Sequence, residues 1–411
     1  MKLVIFMQSI REIFKIGPGP SSSHTFGPMK AAEYIKNETP EADFYQVELN
    51  GSLALTGKGH LTDYIIARTL KPVKTEIVFE PTKTVEHPNT MRIEGFKDGK
   101  LLAGHDFVSI GGGKIVIDGR APEGAKDIYP HTTMDEIQAF CAKKHLRLDE
   151  YVDLVEGKEI DHYLNRIFQT MLKCVNSGLK KTGTLPGSLN LERVAAALHQ
   201  SAQSCDDPAD RSALLLASYA YAASEQNASG KTVVTAPTMG SCGVIPALVY
   251  HYYKDLGYPK ERLIKGLKVA GLVGNLIQEN ATISGAKAGC QAEVGAACSM
   301  GAAMIAYCQT QTNTQIECAA EIGLEHHLGL TCDPVGGYVM IPCIERNAVA
   351  TTRAIDAARL ARSLRNVKKN RVSFDMVVRT MNLTGKKLPV ELRESALGGL
   401  AEVVPATCPR E

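Results

Sequence analysis

Ile160-Asp161-His162-Tyr163-Leu164-Asn165-Arg166-Ile167-Phe168-Gln169-Thr170-Met171-Leu172-Lys173-Cys174-Val175 is the stretch from which the fold class is read. Its apolar residues Ile160, Tyr163, Leu164, Ile167, Phe168, Met171, Leu172 and Val175 recur at steps of three and four, which marks one face of an α-helix. Toward the C-terminus the same pattern predicts helices over about 191–204, 209–227, 261–279, 292–309, 314–329 and 345–365. The Ala- and Gly-rich run 295–306 lets backbones approach closely and suits a central, buried helix.

Toward the N-terminus the pattern changes to short β-type runs at 75–79, 90–95, 101–110 and 114–117. Phe96-Lys97-Asp98-Gly99-Lys100 places Asp-Gly between two of them, a strong hairpin signal. Gly27-Pro28 marks a helix start, because proline suits the first turn. The expected architecture is an α+β N-terminal domain over 1–149, its end a connector from about Glu123, followed by a mainly α-helical domain over 150–411.

The 411 residues suffice for two such cores, and 46 basic against 44 acidic side chains leave a net charge of +2. That balance offers no general field for nucleic acid or an anionic membrane. The apolar opening Met1–Phe6 is cut off by Arg11 and Glu12 before a signal-peptide core can form. The apolar run 294–308 is too short for a span of about 20 residues. A cytoplasmic protein is expected, and its eleven cysteines are then reduced thiols rather than disulfides.

Two cofactor signals are dismissed. In Gly111-Gly112-Gly113-Lys114 the lysine is followed by Ile115 rather than Ser or Thr, and the glycine spacing is wrong for a phosphate loop. No G-x-G-x-x-G follows a strand and opens a helix. The cysteines divide by context. Cys298, Cys308 and Cys318 fall inside helical pattern, where a thiol packs as a small hydrophobe. Cys290, Cys332 and Cys343 fall in breaks, after Ala288-Gly289, before Asp333-Pro334 and after Ile341-Pro342. Three converging thiolates suit a soft iron–sulfur centre better than Mg²⁺ or Ca²⁺. Cys242, in Gly240-Ser241-Cys242-Gly243, is a rival ligand.

Gly17-Pro18-Gly19-Pro20-Ser21-Ser22-Ser23-His24-Thr25 brings hydroxyls and an imidazole to a helix N-terminus, where free N–H groups favour a carboxylate or phosphate. A serine-rich cap is the plainer explanation of the same residues. His60 in Gly57-Lys58-Gly59-His60 and His87 in His87-Pro88-Asn89-Thr90 each read singly as hydrogen-bonded loop histidines. His326-His327 falls in helical pattern and is read as structural.

Taken together and in this order, several segments resemble the iron–sulfur-dependent L-serine dehydratases (L-serine ammonia-lyases), in the single-chain form that joins a β-type to an α-type domain. They are Gly19 to Thr25, Gly57 to His60, His87 to Met91, Ser109 to Gly113, Thr235-Ala236-Pro237-Thr238, Ser284-Gly285-Ala286 with Gly289 to Glu293, Cys332 to Val335, and Pro342 to Asn347. The resemblance implies a [4Fe–4S] cluster on Cys290, Cys332 and Cys343, with the fourth iron open to substrate, and hence sensitivity to oxygen. It implies acid/base roles for His24 and His87, and substrate contacts from Ser21, Ser22, Ser23, Thr25 and, on the facing loop, Ser241. L-serine is the implied substrate and a homodimer the implied assembly. Family chains often end in a cysteine that enters an active site, which makes Cys408 a possible tail ligand. This sequence carries Met239 where members commonly have Asn, Ala288-Gly289 for paired glycines, and Pro409-Arg410-Glu411 after Cys408.

Three other readings compete. A related cluster enzyme could expel sulfide from L-cysteine. A pyridoxal phosphate dehydratase lacks a convincing lysine motif and phosphate loop in this chain. A serine sensor would bind without releasing ammonia.

Overall fold

The computed structural model describes residues 7–120, 127–364 and 370–406. A five-stranded mixed sheet runs in the order Lys74–Glu80, Phe44–Asn50, Thr90–Lys97, Lys100–Gly111, Lys114–Ile117. The first two strands are parallel, joined by a crossover through the helices Ser52–Leu55 and Thr62–Leu70, and the other neighbours are antiparallel. The Asp-Gly hairpin forms where expected: Lys97 pairs with Lys100, and Asp98 and Gly99 both take positive φ, as a two-residue turn requires. Alternation along the strands sends Tyr45, Val47, Leu49, Met91, Ile93 and Phe107 to one face. There they pack against Ala31, Ala32 and Ile35 of the helix Gly27–Glu38 and Ile65, Ile66 and Leu70 of Thr62–Leu70.

The rest is mainly helical. Glu159–Gly178 is the helix read from the Ile160–Val175 pattern. All of Ala296–Cys308 is buried, enclosed by Lys260–Asn280, Asn313–Glu325 and Cys343–Leu364. The expected central helix is therefore present, and its small residues explain it. A Cβ on Gly301 would lie 2.6 Å from Leu248 Cδ1 and 3.2 Å from Ala354 Cβ, so a larger side chain would have to displace side chains of the helices packed against it.

The packing divides differently from the expected boundary. Met7, Ile10, Ile13 and Phe14 belong to the large helical core, and Ile16–Pro18 pairs antiparallel with Thr232–Val234. The expected connector holds the helix Met134–Lys144, with a Thr133/Glu136 capping box, and the start of the helix Leu148–Glu156, and both bury residues in that same core. Helices Val244–Lys254 and Phe374–Lys387 also form outside the segments expected to be helical. Among the described residues, no helix is long and apolar enough to cross a membrane.

Candidate active site

The chain leaves the Ile16–Pro18 strand at Gly19, which is pressed against the end of helix Pro208–Ala228. A Cβ on Gly19 would lie 2.2 Å from Asn227 Oδ1 and 2.4 Å from its carbonyl oxygen, and Asn227 Nδ2 donates to Pro20 O at 2.9 Å. This clamp sets where the serine-rich segment starts. Ser21 caps a wide turn, Ser22–Phe26, by accepting from His24 N at 3.1 Å. Phe26 N reaches Ser21 O at 3.0 Å, the i→i+5 spacing that often marks functional sites.

The hydroxyls expected to bind substrate are mostly spent on building this turn. Ser22 Oγ accepts from Met239 N at 3.0 Å, so the Met239 position is used through its backbone. Thr25 Oγ1 donates to His60 O at 2.7 Å and accepts from Ser21 N. Ser23 Oγ lies 2.9 Å from His24 Nδ1 and 3.3 Å from Ser21 Oγ. Ser241 Oγ stays within its own loop, against Ala236 O and Thr238 Oγ1. Of the five, Ser21 lines the cavity that the three cysteines share.

Cys290, Cys332 and Cys343 are buried and line that one cavity with Pro20, Ser21, His60, Gly240, Glu293, Pro334, Val339 and Glu394. Cys290 directly precedes a second wide turn, Gln291–Gly295. Cys332 is held from both sides, its N–H donating to Leu392 O at 2.8 Å and its carbonyl accepting from Glu394 N at 2.7 Å. Cys343 differs from the expectation: it is the first residue of the helix Cys343–Leu364, and the break lies before it. Cys242 is packed in a separate apolar core with Cys174, Tyr219 and Met239 and does not line the cavity. Cys298, Cys308 and Cys318 are buried in helices, as their spacing predicts. Cys408 lies outside the described residues.

Arg346 stands beside this trio, donating to Thr331 O at 2.6 Å and Asp333 Oδ1 at 3.2 Å. The Cys290 thiol is held below its ordinary range by a hydrogen bond from Cys332, with Arg346 adding to the effect against burial. Cys332 and Cys343 are pushed up, Cys332 chiefly by that shared bond and Cys343 by burial. Three thiols on one cavity with an adjacent guanidinium form a soft sulfur donor set that fits an iron–sulfur group better than a hard cation. Glu293 closes the arrangement, accepting from Thr238 Oγ1 at 2.7 Å with its other oxygen 3.9 Å from Cys332 Sγ.

His60, on that cavity, stacks with His24, ring centroids 4.5 Å apart. His24 Nε2 lies 2.9 Å from Ser52 Oγ. His60 Nδ1 donates to Thr56 O at 3.0 Å, which leaves Nε2 as a buried lone pair with no partner. Burial pushes His60 down to about 4 and holds His24 well below the ordinary histidine value. A carboxylate oxygen of Glu394 lies with a ring nitrogen of each within a 4.8 Å group, and burial pushes this acid up to about 8.

His87 is placed elsewhere. Half-buried, it accepts from Asn89 N at 3.1 Å and lies in a cleft on the uncovered sheet face with Glu48, Glu86 and Asp106. Its loop contributes at one remove, through Pro88 O, which accepts from Ser52 N at 2.7 Å. Sequence reasoning thus passed over His60, Glu394 and Ser52. The Gly57-Lys58-Gly59-His60 motif was the available signal for the first, whereas Glu394 lies in a segment without a recognisable pattern.

A family model described as serine dehydratase beta chain matches residues 9–74, and one described as serine dehydratase alpha chain matches 66–401. L-serine dehydratase 1 of Escherichia coli and an L-serine dehydratase of Haemophilus influenzae are each 37% identical, over 96% of this chain and 99% of their own. An L-serine dehydratase of Mycobacterium bovis is 34% identical over 96% of this chain and 97% of its own.

Proposed function

This chain belongs to the serine dehydratase family, with the parts matched by the beta- and alpha-chain models in one polypeptide, and we infer that it deaminates L-serine to pyruvate and ammonia using a [4Fe–4S] cluster on Cys290, Cys332 and Cys343. One observation carries the site assignment: three buried thiols and the unpartnered Nε2 of His60 open onto the same cavity. When bound, the cluster supplies a Lewis-acidic iron for the β-hydroxyl leaving group.

The remaining chemistry is assigned to side chains. His60, its tautomer fixed by Thr56 O, takes the Cα proton at Nε2. His24, fixed at both nitrogens by Ser23 and Ser52, is the neighbouring imidazole through which a proton is held or passed. This pair replaces the His24/His87 pair that the sequence suggested. Ser21 is the hydroxyl placed to meet the substrate carboxylate. Burial of both imidazoles excludes bulk water while the Cα–H and Cβ–O bonds break. The products of that elimination are water and aminoacrylate, which tautomerises to an imine and hydrolyses to pyruvate and ammonium.

The α+β unit contributes His24, His60 and Ser52 and acts as the part that closes the substrate in. The described cysteines are all free, which supports a reducing, cytoplasmic setting. The test is product analysis on anaerobically prepared protein. Equal yields of pyruvate and ammonia from L-serine are expected; sulfide from L-cysteine with no product from L-serine would refute the reading.

A further inference from the structure

Glu394 has no task in the reaction as assigned. It lies on the segment after helix Phe374–Lys387, in a left-handed backbone conformation (φ 57°) that a long side chain rarely adopts. The surroundings hold it there. Its N–H donates to Cys332 O, its carboxylate accepts from Ala286 N, and farther along the segment Leu400 N donates to Asp333 Oδ2 at 2.9 Å. The result is a buried carboxylate on the cavity wall, beside the unpartnered nitrogen of His60.

An amino acid entering this cavity brings an α-ammonium that must give up its water. A buried cation is tolerated only beside an anionic partner with good hydrogen-bond geometry, and the cation itself favours the ionised form of the acid it meets. The carboxylates lining the cavity are Glu293 and Glu394. Glu293 is engaged by Thr238 and turned toward Cys332. Glu394 lines the cavity together with His60, where the Cα of a substrate must lie for His60 to reach its proton. We propose that Glu394 binds the α-ammonium group of the substrate and thereby restricts the site to amino acids over the corresponding acids that lack the amine. The proposal rests on reading this cavity as the L-serine site.

The test compares L-alanine with propanoate, which differ by the ammonium group, as competitive inhibitors of L-serine deamination by wild-type protein and Glu394→Gln. Glutamine keeps the size and the acceptor for Ala286 N–H. Wild type should prefer L-alanine. The variant should raise KM for L-serine about 10- to 100-fold, the loss expected for a charge-assisted hydrogen bond. Its preference for L-alanine should fall by the same factor, with propanoate inhibition and iron content unchanged. Glu394→Asp, which keeps the charge, should recover part of the preference. An unaltered preference, a parallel loss of propanoate binding, or loss of iron in Glu394→Gln would each overturn the assignment. Calorimetric titration of both probes into both proteins separates the two claims: the ammonium preference and its loss remain measurable even if L-serine is not turned over.

Discussion

Replacing His60 with glutamine keeps an amide N–H that can donate to Thr56 O and much of the volume, but removes the basic nitrogen that faces the cavity. General-base catalysis contributes about 10²- to 10⁴-fold, so kcat for L-serine should fall by that range while iron content is retained. The pH profile gives a second reading of the same residue. Burial lowers His60 to about 4, against the opposing effect of its hydrogen bond to Thr56 O, so the neutral base form exists above that value and is lost below it. At pH 5.5 an ordinary imidazole is about 9% neutral, whereas one titrating near 4 is about 97% neutral. The acid limb of kcat/KM should therefore lie near 4 and not near 6.5. Stability moves in the same direction. The unfolded chain takes up this proton first, so as pH falls from about 6.5 toward 4 the protein loses up to about 3 kcal/mol from this group. Initial rates on briefly acidified protein separate that loss from catalysis. More than a tenth of wild-type kcat in the variant, or a wild-type acid limb near 6.5, would refute the assignment of His60 as base.

Two further substitutions test the scaffold. Gly19→Ala forces a methyl group against Asn227 Oδ1 and its carbonyl; a stability loss of about 1–3 kcal/mol is expected, with lower kcat, in thermal melts and serine turnover. Unchanged melting would show that the clamp on the Ser21–His24 turn is not tight. Lys268→Met removes a buried ammonium that reaches Asp153 at 2.6 Å and Asp161 at 2.7 Å. Both acids are exposed enough to rehydrate, so a loss of about 1–3 kcal/mol is expected, seen as a lower melting temperature with kcat unaltered.

The elements read correctly from sequence are those in which local pattern and packing agree. Ile160–Val175 is amphipathic and lies on a core surface, and Asp98-Gly99 meets the backbone demand of its turn locally. Val244–Lys254 was missed because it is apolar on nearly every side, with Pro246 in its first turn, so burial leaves no periodic stripe to read. Residues 7–18 join the helical core through Ile10, Ile13 and Phe14 and through pairing with a strand more than 200 positions away, a contact no local signal announces. The site divides the same way. The cysteines stand out because each is at a break or a helix start, while His60 looks like any loop histidine until Thr56 and His24 fix its ring. Glu394 reaches the cavity through backbone pairing to Cys332, which depends on tertiary structure.

Joint binding of iron and sulfide by Cys290, Cys332 and Cys343 is the claim on which the rest of the chemistry depends. Protein prepared without oxygen should contain both in the amounts of one [4Fe–4S] cluster per chain. Cys332→Ala should lose the cluster and serine turnover together, whereas Cys308→Ala, a change within the central helix, should keep both. Iron-free wild-type protein that still converts L-serine, or a Cys332→Ala variant that keeps its cluster, would contradict it.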